Sequence, residues 1–207
     1  MLGAIDMFSF NSKRNNVYLK DGLVYKECET KEAAYFEKEF LEELLSKGLA
    51  VPRVISVLDT VLVLEYIEGI TIPDFLEVPS SLERCTTVAK NIVDWFNSFY
   101  KAVDYTNSHI IRGDVNGRNF IITKDSIYSV DFEEKVYGNR ETDLGSLLAY
   151  ISNYDLIDIS VRDKLHSLLL PLLSNTFNTS AKEIALAEEK EIELMKIRRK
   201  NRIQTLE

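Results

Sequence analysis

The sequence predicts an α+β protein of two lobes, a small antiparallel sheet carrying one helix, followed by a mainly helical half. Three observations carry that expectation. The first sixty or so residues hold short, β-branched and aromatic runs, "NNVYLKDG", "LVYKECE" and "VLVLEYI". One stretch between them, "TKEAAYFEKEFLEELLSKG", repeats its apolar residues at helical spacing. After "EYIEG" the texture turns helical, interrupted by one pair of apolar runs near the middle of the chain.

Asp21-Gly22 predicts a hairpin turn between the first two runs, because both residue types accept the positive φ of a two-residue turn. The helix that follows should carry Ala33, Glu37, Phe40, Leu41 and Leu44 on one face and end at Gly48, with Pro52 just beyond. The segment "SSLERCTTVAKNIVDWFNSFYKAV" opens on an expected capping box, Ser80 with Glu83, and aligns Val88, Ile92, Trp95, Phe99 and Val103. "TDLGSLLAYISNY" and "VRDKLHSLLLPLL" read as further helices, with "IIRGD…VDFEE" as the only strand pair among them. Residues 180–207 open on a second capping box, Ser180 with Glu183, and form a charged terminal helix.

With 207 residues and 45% hydrophobic content the chain can bury a core and fold alone. A formal net charge of −8 argues against the whole chain binding nucleic acid or an acidic membrane. Its one basic cluster, Lys196, Arg198, Arg199, Lys200 and Arg202, follows an acidic run from Glu188 to Glu193, an order that suits a solvated helix dipole. A nucleic-acid partner is expected nowhere except through that cluster. Cys28 and Cys85 lack the spacing of a disulfide framework or a zinc site. No run of about 18 apolar residues occurs, and "MLGAIDMFSF" lacks a basic region and a cleavage site, so a soluble cytoplasmic protein with no membrane partner is expected.

The chemistry concentrates in "HIIRGDVNGRNFIITKDSIYSVDFEE", His109 to Glu134. Asp114 and Asn119 stand in a loop between two apolar runs, and Asp131 follows after an expected hairpin turning at Thr123 to Ser126. A core strand gains nothing from a carboxylate at its end. Folded, the three would meet at one end of the hairpin. An aspartate to accept a hydroxyl proton, with an asparagine oxygen and a second carboxylate to hold a hard divalent ion, is what kinase-type phosphoryl transfer requires, and Mg²⁺ suits such ligands.

In order and spacing, "RGDVNGRN", "SVDFEE" and "ETDLGSLL" resemble the aminoglycoside phosphotransferase and choline kinase branch of the protein-kinase-like superfamily. The resemblance covers roughly residues 15 to 155. It implies a two-lobed protein-kinase-like fold, with residues 1–67 as the nucleotide-binding lobe, 68–179 as the helical catalytic lobe and 180–207 as a charged helix or tail. It also implies ATP and Mg²⁺ as cofactors, and transfer of the γ-phosphoryl group to a hydroxyl of a small molecule. Asp114 would be the catalytic base, Asn119 and Asp131 the metal ligands, and Arg118 a catalytic-loop residue facing the acceptor or the transferred charge. Lys26, read as an exposed strand residue contributing little to stability, would clamp phosphates with Glu37, which helical phase favours over Glu39. The carbonyl of Glu65 and the amide of Ile67 would bind adenine beside Leu64, and Asp143 would brace the catalytic loop.

Departures from the family pattern qualify that picture. Arg112 stands where the family has histidine, which implies altered scaffolding. Glu133 replaces the glycine of the protein-kinase DFG motif, and "SFNSKRNN" has no glycine, leaving Ser12, Lys13 or Arg14 to cap phosphates. Glu133, Glu134, Glu141 and Asp143 form an acidic neighbourhood suited to a cationic substrate. The short region after Asp143 implies a shallow acceptor site. Two alternatives stay open: a compact atypical protein kinase or ATPase resembling the kinase of the tRNA-threonylcarbamoylation complex, and a nucleotide-binding pseudokinase.

Overall fold

The computed structural model describes residues 8–10 and 15–204, with side chains from 15 to 201. Ser12, Lys13 and Arg14 lie outside the described residues, as does the side chain of Arg202.

Strands β1 (Phe8–Phe10), β2 (Asn16–Lys20) and β3 (Leu23–Glu27) run antiparallel. Asp21 and Gly22, at φ of 51° and 76°, close the predicted two-residue hairpin. Helix α1 (Lys31–Ser46) starts at Thr30, whose side chain accepts the Ala33 N–H at 3.1 Å. Its inner face is Ala34, Glu37, Phe40, Leu41 and Leu44, with Ala33 only partly covered. Strands β4 (Val54–Leu58) and β5 (Val61–Glu65) complete a five-stranded sheet of order β1-β2-β3-β5-β4.

The connector 66–69 leads to β6 (Ile70–Thr71) and the short helix α2 (Ile72–Glu77). The long helix α3 (Leu82–Ala102) buries Val88, Ile92, Trp95 and Phe99 as its spacing predicts. Its cap is not the expected Ser80 with Glu83: Ser81 accepts the Arg84 N–H, while the Ser80 hydroxyl donates to the Val78 carbonyl. After α4 (Tyr105–Ser108) come β7 (Ile110–Ile111), a 3₁₀ turn at Gly117–Asn119, β8 (Phe120–Ile122), β9 (Ile127–Ser129) and β10 (Val136–Tyr137). The expected single strand pair is in fact two small sheets, β6-β8-β9 and β10-β7. Strand β7 pairs with β10 because the loop between β7 and β8 turns away to form the site. Helices α5 (Arg140–Ser152), α6 (Ser160–Phe177) and α7 (Ala181–Gln204) finish the chain.

One peptide group helps to tie the lobes together. The Ala50 carbonyl, just after α1, accepts the Trp95 indole N–H at 3.0 Å and the Ser129 N–H at 3.2 Å. Trp95 in turn packs on Phe96, Phe99 and Phe120, which fixes the β8-β9 hairpin against α3. Helix α7 carries the expected Ser180 and Glu183 capping box. Its first half docks on α5, where a Cβ on Gly145 would stand 2.6 Å from Ala187 and Glu188 backbone atoms. The basic residues Lys196 to Lys200 are solvated, with Lys196 paired to Glu193 and Arg198 to Glu191. No helix among the described residues is long and apolar enough to cross a membrane.

Candidate active site

The 16-residue α1 places Glu37 against the last residues of β3, where Lys26 points inward. Lys26 Nζ lies 2.7 Å from Glu37 Oε2. The lysine is 4% exposed and the glutamate 1%, so the expectation of a solvated strand lysine is wrong: the α1 face that buries Glu37 covers Lys26 as well. The same ammonium pairs with Asp131 and stands 3.2 Å from Glu133 Oε1. Glu37 is used twice, since its Oε1 accepts the Phe132 N–H at 3.0 Å. One β3 lysine and one α1 glutamate thus grip the Asp131-Phe132-Glu133 segment of the second lobe.

The electrostatics follow from this crowding. Burial works against the charge of Lys26, but Glu37 and Asp131 outweigh it and raise its pKa above the ordinary value. Asp131 feels burial too, yet the Lys26 ammonium holds its carboxyl below the usual range. Burial, reinforced by the Asp131 charge, pushes Glu133 up despite the pull of Lys26.

The loop that carries Asp114 is held from beneath. Asp143 Oδ2 accepts the Arg112 N–H at 2.6 Å and the Tyr100 hydroxyl at 2.9 Å, and its Oδ1 accepts the Gly113 N–H at 2.9 Å. Burial pushes the Asp143 carboxyl up to about 6, against these donors, which favour the charged form. Gly113 has φ of 75°, and a Cβ there would meet Val136 at 2.4 Å, so this turn has room for glycine alone. Beyond it Asp114 is exposed, and its Oδ2 accepts from Asn119 Nδ2 at 3.0 Å. The Thr123 to Ser126 hairpin turn forms as expected, and Val130 N–H donates to the Asn119 carbonyl at 2.9 Å, binding the two ends of the hairpin together.

Asn119 spends its amide nitrogen on Asp114, which leaves its amide oxygen able to accept a metal, and Asp131 offers a partly exposed carboxylate. One neutral and one anionic oxygen donor suit Mg²⁺, a hard ion that keeps waters and substrate phosphates in its remaining positions. No group of three or more His, Cys, Asp or Glu side chains placed to hold a metal occurs among the described residues.

The RIO domain family model matches residues 12–153, a span that contains every group described above. The chain belongs to the RIO domain family. Its RIO domain is protein-kinase-like, so the superfamily read from the motifs holds, and the family supports a kinase-like phosphotransferase. No curated protein matches the chain. Among solved structures, the fold is similar to aminoglycoside phosphotransferase APH(2'')-Ib with bound ADP, at a TM-score of 0.64 and 13% identity, covering 92% of this chain and 82% of that one. It is also similar to the streptomycin and ATP ternary complex of APH(2'')-IIa, at a TM-score of 0.58 and 13% identity over 90% of this chain and 82% of that one.

Within the RIO domain the remaining expected residues fall in different places. Glu65 ends β5, where its carboxylate accepts the Arg53 N–H at 3.2 Å, and Ile67 lies half-buried in the connector to the second lobe beside buried Leu64. Arg118 stays on the loop with Asp114 and Asn119 but lies beside the Tyr150 hydroxyl, whose pKa burial pushes up to about 12. The acidic neighbourhood dissolves: Asp143 is buried under the loop, Glu133 faces Lys26, and Glu141 accepts the Thr179 hydroxyl at 2.7 Å. Tyr100 is a polar participant that the motifs do not reveal, because it reaches Asp143 from α3.

Proposed function

We propose that the protein is a cytoplasmic ATP- and Mg²⁺-dependent phosphotransferase that moves the γ-phosphoryl group of ATP onto a hydroxyl of a small molecule. The observation that carries the reading is the buried Lys26, shared between Glu37 and Asp131 across the two lobes. Such an arrangement costs desolvation energy that a purely structural position would avoid. In this reading residues 1–67 bind the nucleotide, 68–179 carry the catalytic loop, and 180–207 form the charged terminal helix. Lys26, fixed by Glu37, neutralises phosphate oxygens, and the Glu65 carbonyl and Ile67 amide take the adenine edge. Bound Mg²⁺, held by Asn119 and Asp131, would offset charge on the transferring phosphoryl group.

Asp114 accepts the proton of the acceptor hydroxyl as that oxygen attacks the γ-phosphorus. The bond to the β-phosphate oxygen breaks, and ADP leaves with its electron pair. The Asn119 contact orients the Asp114 carboxylate, and Asp143 holds the turn that projects it. Arg118, on the same loop, is the residue placed to meet the acceptor or the transferred charge.

A second reading, a compact atypical protein kinase or ATPase, is favoured by one observation. The family that matches residues 12–153 is the RIO domain, which is compatible with an atypical kinase as well as with a small-molecule phosphotransferase. The third reading, a pseudokinase, has against it the presence of Asp114, Asn119 and Asp131 together. The deciding experiment supplies γ-labelled ATP with hydroxyl compounds, amines and proteins. Label on a small hydroxyl compound supports the proposal, and label on protein or phosphate release alone moves the assignment to the second reading. ATP binding without any turnover would leave the pseudokinase.

A further inference from the structure

Arg112 is the departure from the family pattern that the proposed chemistry does not use, and the structure gives it more partners than a loop residue needs. It is 4% exposed, although it precedes the exposed Gly113 and Asp114. Its Nη2 donates to two successive carbonyls, Val130 at 2.7 Å and Asp131 at 2.9 Å. Its Nε donates to the Ser129 hydroxyl at 3.2 Å, and its guanidinium carbon lies 4.2 Å from the centre of the Phe132 ring. Four consecutive residues, 129 to 132, are therefore gripped by one side chain.

The gripped segment has an unusual backbone. Asp131 adopts φ of 71°, in the left-handed region, so the peptide groups on its two sides turn in different directions. Both carbonyls that Arg112 binds flank that residue. The planar guanidinium presents several donors at fixed angles, which a lysine or histidine in the same place cannot reproduce. From the other side, Phe132 N–H is held by Glu37.

We infer that Arg112 is a positioning residue for the metal loop: it fixes the left-handed backbone at Asp131, and thereby aims the Asp131 carboxylate at Lys26 and at the Mg²⁺ position. The inference rests on the proposed metal role of Asp131. Arg112 touches neither substrate nor metal and acts through that backbone alone. Every group in this hold belongs to the second lobe, so it does not depend on the lobes closing.

The test uses the full chain and compares wild type with Arg112→Lys and Ser129→Ala. The first keeps the charge but loses the fork, and the second removes only the Nε anchor, so it keeps the question open to test if the lysine variant fails to fold. Hydrogen exchange of the unliganded protein should show faster exchange at the Val130 and Phe132 amides in both variants, with α3 and α5 unchanged. The Mg²⁺ concentration giving half of the ADP-induced melting shift should rise about 10- to 100-fold in Arg112→Lys, the usual cost of losing an outer-shell partner, and less in Ser129→Ala. Folded variants with wild-type exchange at Val130 and Phe132 overturn the inference. Faster exchange there in a protein whose wild type shows no Mg²⁺-dependent shift keeps Arg112 as the loop anchor and removes the metal role of Asp131 instead.

Discussion

Lys26 and Glu37 form an ion pair inside the first lobe, Nζ to Oε2 at 2.7 Å, and Glu37 simultaneously receives the Phe132 N–H of the second lobe. Breaking this pair from one side leaves a buried charge without its counter-ion. Lys26→Ala should therefore lose activity and also cost roughly 3 kcal/mol or more. At about 2 to 4 °C per kcal/mol, that is a fall in Tm of at least about 6 °C. The double variant Lys26→Met with Glu37→Gln removes both charges and keeps an acceptor for Phe132. It should recover part of the stability, since Asp131 still lacks the ammonium, and none of the activity. Wild-type turnover in Lys26→Ala would take the lysine out of the site.

Asp143 should make its presence felt through pH. Its carboxyl is pushed up to about 6 in the folded protein, above the ordinary aspartate value of about 3.9. Between those values the native state binds more protons than the unfolded chain, so this group's contribution to stability declines as pH rises from about 4 to about 6 and is level above that. The decline is on the order of 2 to 3 kcal/mol, from roughly 1.4 kcal/mol per pKa unit. Melting curves of wild type and Asp143→Asn from pH 4 to 8 should converge or cross in that window, because the amide does not titrate. A constant difference contradicts the buried carboxylate. At neutral pH, Asp143→Ala should lower both stability and activity, since it strands the Arg112 and Gly113 N–H groups at roughly 1 to 3 kcal/mol each.

Gly145 marks where α7 joins the body. A Cβ there meets backbone atoms of Ala187 and Glu188 at 2.6 Å, and backbone cannot swing aside as a side chain can. Gly145→Ala should cost about 1 to 3 kcal/mol, a fall of roughly 2 to 12 °C in Tm. Hydrogen exchange should speed up in the first half of α7, and unchanged protection there would show that the helix is not docked at this glycine.

The legible parts of the molecule were those written in local pattern. Asp21-Gly22 announces its hairpin, and the α1 period selects Glu37 over Glu39 because the two differ by most of a half-turn around the helix. The burial of Lys26 is not legible, since what covers it comes from a helix and from a loop more than a hundred residues away. Strand β4 hides for a different reason: its alternation is broken by an irregularity between Val54 and Ser56, just after Pro52. Ser80 and Ser81 are equally good caps by type, and only the packing of α3 chooses between them. The acidic neighbourhood looked like a surface because adjacent carboxylates read alike in sequence, whereas the fold sends Asp143 inward and Glu133 toward Lys26.

The most direct test of the account measures melting with ATP and Mg²⁺ alongside phosphoryl transfer, in wild type, Asp131→Asn and Asp114→Asn. At about a hundred times its dissociation constant, the nucleotide should stabilise wild type by roughly 2.7 kcal/mol, a shift of about 5 to 11 °C. Asp131→Asn should lose most of the Mg²⁺-dependent part of the shift, because the anionic ligand is gone. Asp114→Asn should keep the shift and lose transfer, because a base is needed only for the chemical step. A wild-type protein whose Tm does not move with any nucleotide and metal would contradict the site itself.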